Sequence, residues 1–230
     1  MRADTIIYNI SILYTPHRSL LHRGEEMSQL EKIRNAYIAI KDGSILDYGK
    51  GNYNKYIGDN TYFHNAEGNI VVPGLIDAHT HLVHGGSREK EFKDKIQGVP
   101  YLDILKRGGG ILSTVKSTRA ASKNELYEKA KKSLDEMLLF GVTTIEAKSG
   151  YGLDTETEIK MLEVSNILNE THPITISPTY LGAHAVPTGI DKEQYINSIL
   201  NDLELIKEKN LAESVDVFCE DSVFNVEDTQ

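Results

Sequence analysis

The sequence predicts an α/β protein in two parts, and three observations carry the prediction. Residues 1–69 read as short strands joined by turns. From Ile70 onward, short apolar runs alternate with segments of helical period, the pattern of a parallel sheet with helices packed outside it. The 230 residues are 40% hydrophobic and 26% charged, enough apolar material for a sizeable core and too much for a disordered chain.

In the first part, Thr5 to Leu13 carries Ile6, Ile7, Ile10 and Ile12 and reads as a strand. Tyr37 to Ile40 and Ser44 to Tyr48 flank Asp42-Gly43, which predicts a hairpin with a tight turn. Arg18 to Lys32 is polar and charged, a solvated loop or a short helix. Asn65 to Asn69 has turn composition. In the second part, Ile70-Val71-Val72 with Leu75-Ile76 predicts one compact strand, and Val142–Ala147, Ile174–Tyr180 and Val215–Cys219 predict three more.

Helices fit between these runs. Ser122 to Glu125 forms a capping box ahead of Leu126, Ala130, Leu134, Met137 and Leu138, and Gly141 sits where a C-terminal cap is expected. Thr155 to Glu158 reads as a second capping box before Ile159, Leu162 and Ile167. A third helix runs from Lys192 to Lys209 through Tyr195, Ile199, Leu203 and Ile206. Two architectures accommodate this order, an open doubly wound sheet and a (β/α)8 barrel. Four barrel-type strands are visible where a closed barrel takes eight and about 250 residues.

Charge and composition exclude several functions. A net charge of −9 is wrong for a phosphate-backbone binder, so no nucleic-acid partner is expected. No run approaches the ~20 apolar residues of a membrane span, and Met1 to Ile10 lacks the pattern of a signal peptide. The expectation is a soluble cytoplasmic protein without a membrane partner. Cys219 is the single cysteine, which excludes a disulfide scaffold; on its apolar run it is expected to be buried packing.

The strongest chemical signal is Asp77-Ala78-His79-Thr80-His81, directly after a strand. Side chains alternate along extended backbone, so His79 and His81 share a face and could grip one divalent ion. The same pair also suits two exposed or hydrogen-bonded histidines in a loop. Arg88 could pair bidentately with a substrate carboxylate, or form a surface salt bridge with Glu89 or Glu91. Tyr151 lies in a glycine-flanked loop, Ser149-Gly150-Tyr151-Gly152, where a ligand could approach closely; an ordinary turn with a half-buried tyrosine is the alternative. His184, in Gly182-Ala183-His184, could hydrogen-bond a substrate or be structural. Lys148-Ser149 lacks the preceding glycine of a phosphate loop, and Gly108 to Gly110 lacks its following Lys-Ser/Thr, which excludes a nucleotide site of that kind. His17, His22, His64 and His172 look incidental, and His84 has no clear role.

Taken together, these motifs resemble a known family. Val72 to His81 resembles the metal-binding opening of the amidohydrolase superfamily. His84 to Phe92, Gly108 to Val115, Glu146 to Leu153 and Leu181 to Ala185 narrow the likeness to its imidazolonepropionase family, over essentially the whole chain. The resemblance implies an α/β fold in which residues 1–69 are the N-terminal share of a small β-sandwich. Residues 70–230 would be the first half of a metal-dependent hydrolase (β/α)8 barrel. It implies one divalent ion, zinc or iron, with His79 and His81 as ligands and a further His and Asp from later strands.

The implied substrate is 4-imidazolone-5-propanoate, hydrolysed at its cyclic amide to N-formimidoyl-L-glutamate, with Arg88, Tyr151 and His184 as substrate contacts. The family suggests a homodimer. No residue is identified as general base. The expected third metal ligand would follow Gln230, so the chain reads as an N-terminal portion, inactive alone. Two other readings stand beside this one: an amidohydrolase of another cyclic amide or amidine, and a non-catalytic fragment that needs a complementary chain.

Overall fold

The structure, a computed structural model, describes residues 1–16, 22–100, 103, 108–221 and 223–230. His17 therefore lies outside the described residues. The chain forms two compact units, Met1–Pro73 and Gly74–Gln230.

The first unit is a five-stranded mixed sheet of β1 (Thr5–Pro16), β2 (Leu30–Lys41), β3 (Ser44–Lys50), β4 (Tyr62–Asn65) and β5 (Ile70–Val71). The order is β3-β2-β1-β4, and β5 pairs with β1 beyond β4. Asp42 and Gly43 have φ of 49° and 74° and join Lys41 to Ser44, the positive-φ hairpin turn that their composition predicts. β2 begins at Leu30, well before the predicted Tyr37, because the polar segment from Leu30 pairs antiparallel with β1 as far as Pro16. Ahead of it, Gly24–Ser28 is a 3₁₀ turn. A bulge at Asn9, with φ of 56°, bends β1. Asn9 Nδ2 donates to Asn65 Oδ1 at 2.9 Å, and Gly68 N donates to Asn9 O at 2.8 Å, which docks the predicted 65–69 turn on the bulge.

The single strand expected across residues 70–76 is two. Ile70–Val71 extends the first sheet by pairing with Ile12 and Leu13, and a new strand starts at Leu75. Pro73 has no amide hydrogen for a ladder, which suits a break there. The first compact unit accordingly runs to Pro73.

The second unit holds β6 (Leu75–Thr80), β7 (Val142–Lys148), β8 (Thr175–Ala183) and β9 (Ser214–Val217), hydrogen-bonded in that order and all parallel. Its helices are α1 (Glu89–Ile96), α2 (Ile111–Ala120), α3 (Lys123–Leu139), α4 (Thr155–Thr171), α5 (Lys192–Glu208) and a last turn α6 (Val226–Thr229). Neither α1 nor α2 is predicted by the sequence pattern. Among the described residues no helix is long and apolar enough to cross a membrane.

Capping fixes where these helices begin. Ser122 Oγ accepts from Glu125 N, and the Glu125 carboxylate accepts from Ser122 N, the reciprocal box the sequence predicts. Gly141, with φ of 84°, closes α3 by donating to Leu138 O at 2.9 Å. The box predicted at Thr155 is displaced by one residue. Asp154 is the cap, accepting from Thr157 N at 2.7 Å, and Glu158 turns away from the helix start into a loop. Thr155 Oγ1 donates instead to Asp202 Oδ1 at 2.6 Å, and Tyr180 Oη donates to Asp202 Oδ2 at 2.9 Å, tying α4 and β8 to α5.

The core lies between the sheet and its helices. Leu126, Ala130 and Leu134 on α3 pack with Ile145, Ala147, Met161, Val164, Leu168, Ile174 and Ile176. Met137 borders this cluster, whereas Leu138, one turn beyond Leu134 at the end of the helix, is exposed. Leu134→Ala is expected to lower unfolding free energy by about 3 kcal/mol, because the side chain is wholly buried and its neighbours are held by two strands. Urea unfolding measures it; a loss below ~1 kcal/mol would mean the site collapses around the cavity. β9 ends at Val217, and Cys219 is exposed, not the buried packing its apolar run predicts. The chain leaves the sheet there to form an isolated bridge to Phe224, which takes the buried position.

Candidate active site

Four aromatic rings meet beyond the carboxyl ends of β6, β7 and β8. The His79 and His81 ring centroids are 5.8 Å apart, so the two imidazoles occupy one locality, as alternation along β6 predicts. His184, just past β8, stacks on His81 at 4.8 Å with the planes 8° apart. Tyr151, in the loop after β7, lies 4.7 Å from His81 and 5.3 Å from His184. The structure therefore brings together His79, His81, Tyr151 and His184. His84 joins them: its ring is 6.0 Å from that of Tyr151, and its Nδ1 bonds His81 O at 2.9 Å. Nothing in its spacing from His81 pointed to that.

Backbone carbonyls fix the imidazole orientations. His81 Nδ1 lies 2.9 Å from Ser149 O, and His184 Nδ1 lies 2.8 Å from Gly150 O. A carbonyl only accepts, so each Nδ1 carries the proton and each Nε2 keeps its lone pair. Burial holds these rings neutral. It is the main cause that pulls the His81 pKa down to about 4, with the neighbouring His184 charge next, and it also lowers His184 and His84. A neutral imidazole with one nitrogen tied to a carbonyl is the form that donates to a metal. His81 fits that requirement, and His79 stands beside it. Among the described residues no set of three His, Cys, Asp or Glu is arranged to hold a metal.

Arg88 is at the start of α1. Its Nε donates to Glu91 Oε2 at 2.9 Å, and Glu91 Oε1 accepts from Gly110 N at 2.8 Å. The salt bridge that the sequence left as an alternative is thus present, with one partner named correctly. It is no loose surface pair: Glu91 is buried, and it joins α1 to the glycine turn that starts α2. Gly108 and Gly110 have φ of 82° and 72°, which explains the glycines at those positions.

Sequence reasoning missed two charged groups here. Lys148 is 6% exposed and sits between Glu146 Oε1 at 2.8 Å and Asp216 Oδ2 at 2.9 Å, linking β7 to β9. Burial opposes its charge, but the two carboxylates outweigh that and hold the ammonium above its ordinary range. Thr179 Oγ1 adds a 2.7 Å bond to Glu146. The available signal was two charges two residues apart in an apolar strand, which puts both on one face. The second group is the buried Glu158, hidden because its spacing from Thr155 imitates a capping box.

A parallel sheet with strand–helix alternation and its polar side chains gathered at the carboxyl ends of the strands defines a β/α enzyme scaffold. The chain belongs to the amidohydrolase family, whose sequence profile matches residues 70–226. It is 50% identical over its whole length to an imidazolonepropionase of Fusobacterium nucleatum and 49% identical to one of Thermoanaerobacter pseudethanolicus. The chain spans about half the length of these relatives, 56% and 55%. Among solved structures it resembles the guanine deaminase of E. coli, with a TM-score of 0.58 at 18% identity, over 90% of this chain and 44% of that one. The guanine deaminase of C. acetobutylicum gives 0.55 at 15% identity, over 93% and 46%. These likenesses establish the fold: β6 to β9 and their helices are a curled half-barrel, and the first unit is a separate mixed sheet.

Proposed function

We propose that these residues serve a metal-dependent imidazolonepropionase, which opens the cyclic amide of 4-imidazolone-5-propanoate to N-formimidoyl-L-glutamate. The observation that carries this reading is the convergence of His79, His81, Tyr151 and His184 in a chain so similar to proteins of that name. His79 and His81 would hold one divalent ion, zinc or iron, together with donors that the described residues do not supply. Bound there, the ion supplies water acidified toward neutrality and a Lewis acid for the amide oxygen.

The chain's own residues bind and orient the ring. Tyr151 offers an aromatic face and a hydroxyl. His184 offers Nε2, because its Nδ1 proton is committed to Gly150 O. Arg88 anchors the propionate, with Glu91 holding the guanidinium by its Nε edge. Neutral, half-buried imidazoles leave the substrate's carboxylate to seek that guanidinium.

Arg88→Met in the complete barrel enzyme tests the assignment. Losing a charge-assisted pair worth about 1.5–3 kcal/mol should raise KM for the propionate substrate about 10- to 100-fold. A cyclic amide lacking the carboxylate should be turned over by wild type and variant alike. Unchanged KM for the propionate would leave Arg88 a structural role, through pairs such as that with Glu91, and no role in substrate binding; wild-type preference for the analogue would favour a different cyclic substrate.

A further inference from the structure

The loop that carries Tyr151 is held from both sides by charged groups outside the ring cluster. Glu158 lies in the first turn of α4 and is 1% exposed. Its Oε2 accepts from Gly150 N at 2.8 Å, and its Oε1 accepts from Gly152 N at 2.7 Å and Leu153 N at 2.9 Å. From the other side, Arg119 Nε donates to Gly152 O at 2.7 Å and Nη2 donates to Leu153 O at 2.9 Å. Arg119 also pairs with Asp154, the cap of α4.

Within the same segment, Gly150 O takes the His184 Nδ1 proton. Glu158 thus touches the residue that orients His184, and His184 stacks on His81. Space is as restricted as polarity. A Cβ at Gly152 would lie 2.7 Å from Glu158 N, and one at Gly150 would lie 2.9 Å from His184 Nδ1. A carboxylate removed from water yet satisfied by several donors is costly to keep unless its geometry is needed.

We propose that Glu158, with Arg119 opposite it, is a positioning residue of the active site: the two clamp the Gly150–Leu153 backbone and thereby place Tyr151 and His184 against the substrate ring. The role rests on the reaction proposed above. Glu158 itself touches none of the reacting atoms. Both of its oxygens accept, so an isosteric amide cannot replace it. In Glu158→Gln the NH2 group must face at least one backbone N–H, donor against donor.

The test compares Glu158→Gln, Arg119→Met and Leu134→Ala in the complete, metal-loaded enzyme, each assayed well below its unfolding temperature. Leu134→Ala controls for stability loss remote from the loop. Glu158→Gln should lower kcat about 100-fold, the effect of misplacing an orienting group by ~1 Å, at unchanged metal content. Arg119→Met should lower it in the same direction by less. Arg119 is partly exposed, so this variant decides the matter if Glu158→Gln does not fold.

Amide exchange of the 149–154 segment, read without substrate, should accelerate at least ~10-fold in either clamp variant while the α4 core stays protected. The clamp is overturned if exchange in that segment is unchanged. It is also overturned if exchange rises but kcat and KM match those of Leu134→Ala. A wild-type enzyme inactive on 4-imidazolone-5-propanoate would instead refute the substrate assignment, and the exchange result would still report on the clamp.

Discussion

His79→Ala in the complete barrel enzyme is expected to strip the divalent ion and bring turnover to background, with the fold intact. The reason lies in what the two imidazoles do and do not support. His79 is exposed, so truncating it removes little packing. Its ring shares a locality with His81, whose protonated Nδ1 is fixed on Ser149 O and whose pKa is held at about 4 by burial. Loss of a partner that merely orients a ligand costs 10–100-fold in metal affinity, so loss of a ligand should cost ~10³-fold or more. Metal content after dialysis and the circular dichroism spectrum are the two measurements. Retained metal at wild-type stoichiometry would remove His79 from the ligand set. Retained activity without metal would remove the metal-dependent mechanism.

The parts of this molecule legible in its sequence are those set by local rules. Asp42-Gly43, Ser122 with Glu125, and Gly141 each specify a conformation through neighbours a few residues away, and each does so in the structure. The histidine pair was legible because strand alternation is also local. What the sequence concealed depends on distant partners. Ile70–Val71 looks continuous with Leu75–Ile76, but its hydrogen bonds go to β1. Glu158 has the spacing of a capping residue, and only the folded loop reveals three backbone amides aimed at its carboxylate. Cys219 lies on an apolar run that departs from the sheet two residues earlier. Arg88 shows the intermediate case: spacing left Glu89 or Glu91 as possible partners, and only the structure selects Glu91 and shows it buried and bonded onward to Gly110.

Gly85→Ala is expected to be the most destabilising single-atom addition in the strand-end loops, about 3 kcal/mol by urea unfolding, or enough to prevent accumulation of folded protein. The glycine pair after His84 is part of the motif that made the sequence recognisable, and the structure supplies its physical reason. A Cβ on Gly85 would drive into the Ser117 carbonyl, with Ser117 C at 2.5 Å and Thr118 N at 2.7 Å. Those are backbone atoms of α2, so no side-chain rotation relieves the clash; the loop or the helix must move. Moving the loop breaks the 2.9 Å bond from Gly85 N to Thr118 Oγ1, a hydroxyl that is itself buried and bonded to Thr114 O. It also displaces His84, which packs beside Tyr151 and is bonded to His81 O. Thr118→Ala separates the two contributions. It removes the hydroxyl while leaving room for the glycine, and should cost only about 1 kcal/mol. If Gly85→Ala cost no more than Thr118→Ala, the close approach of loop and helix would be elastic, and the glycine would be there for conformational freedom and not for space.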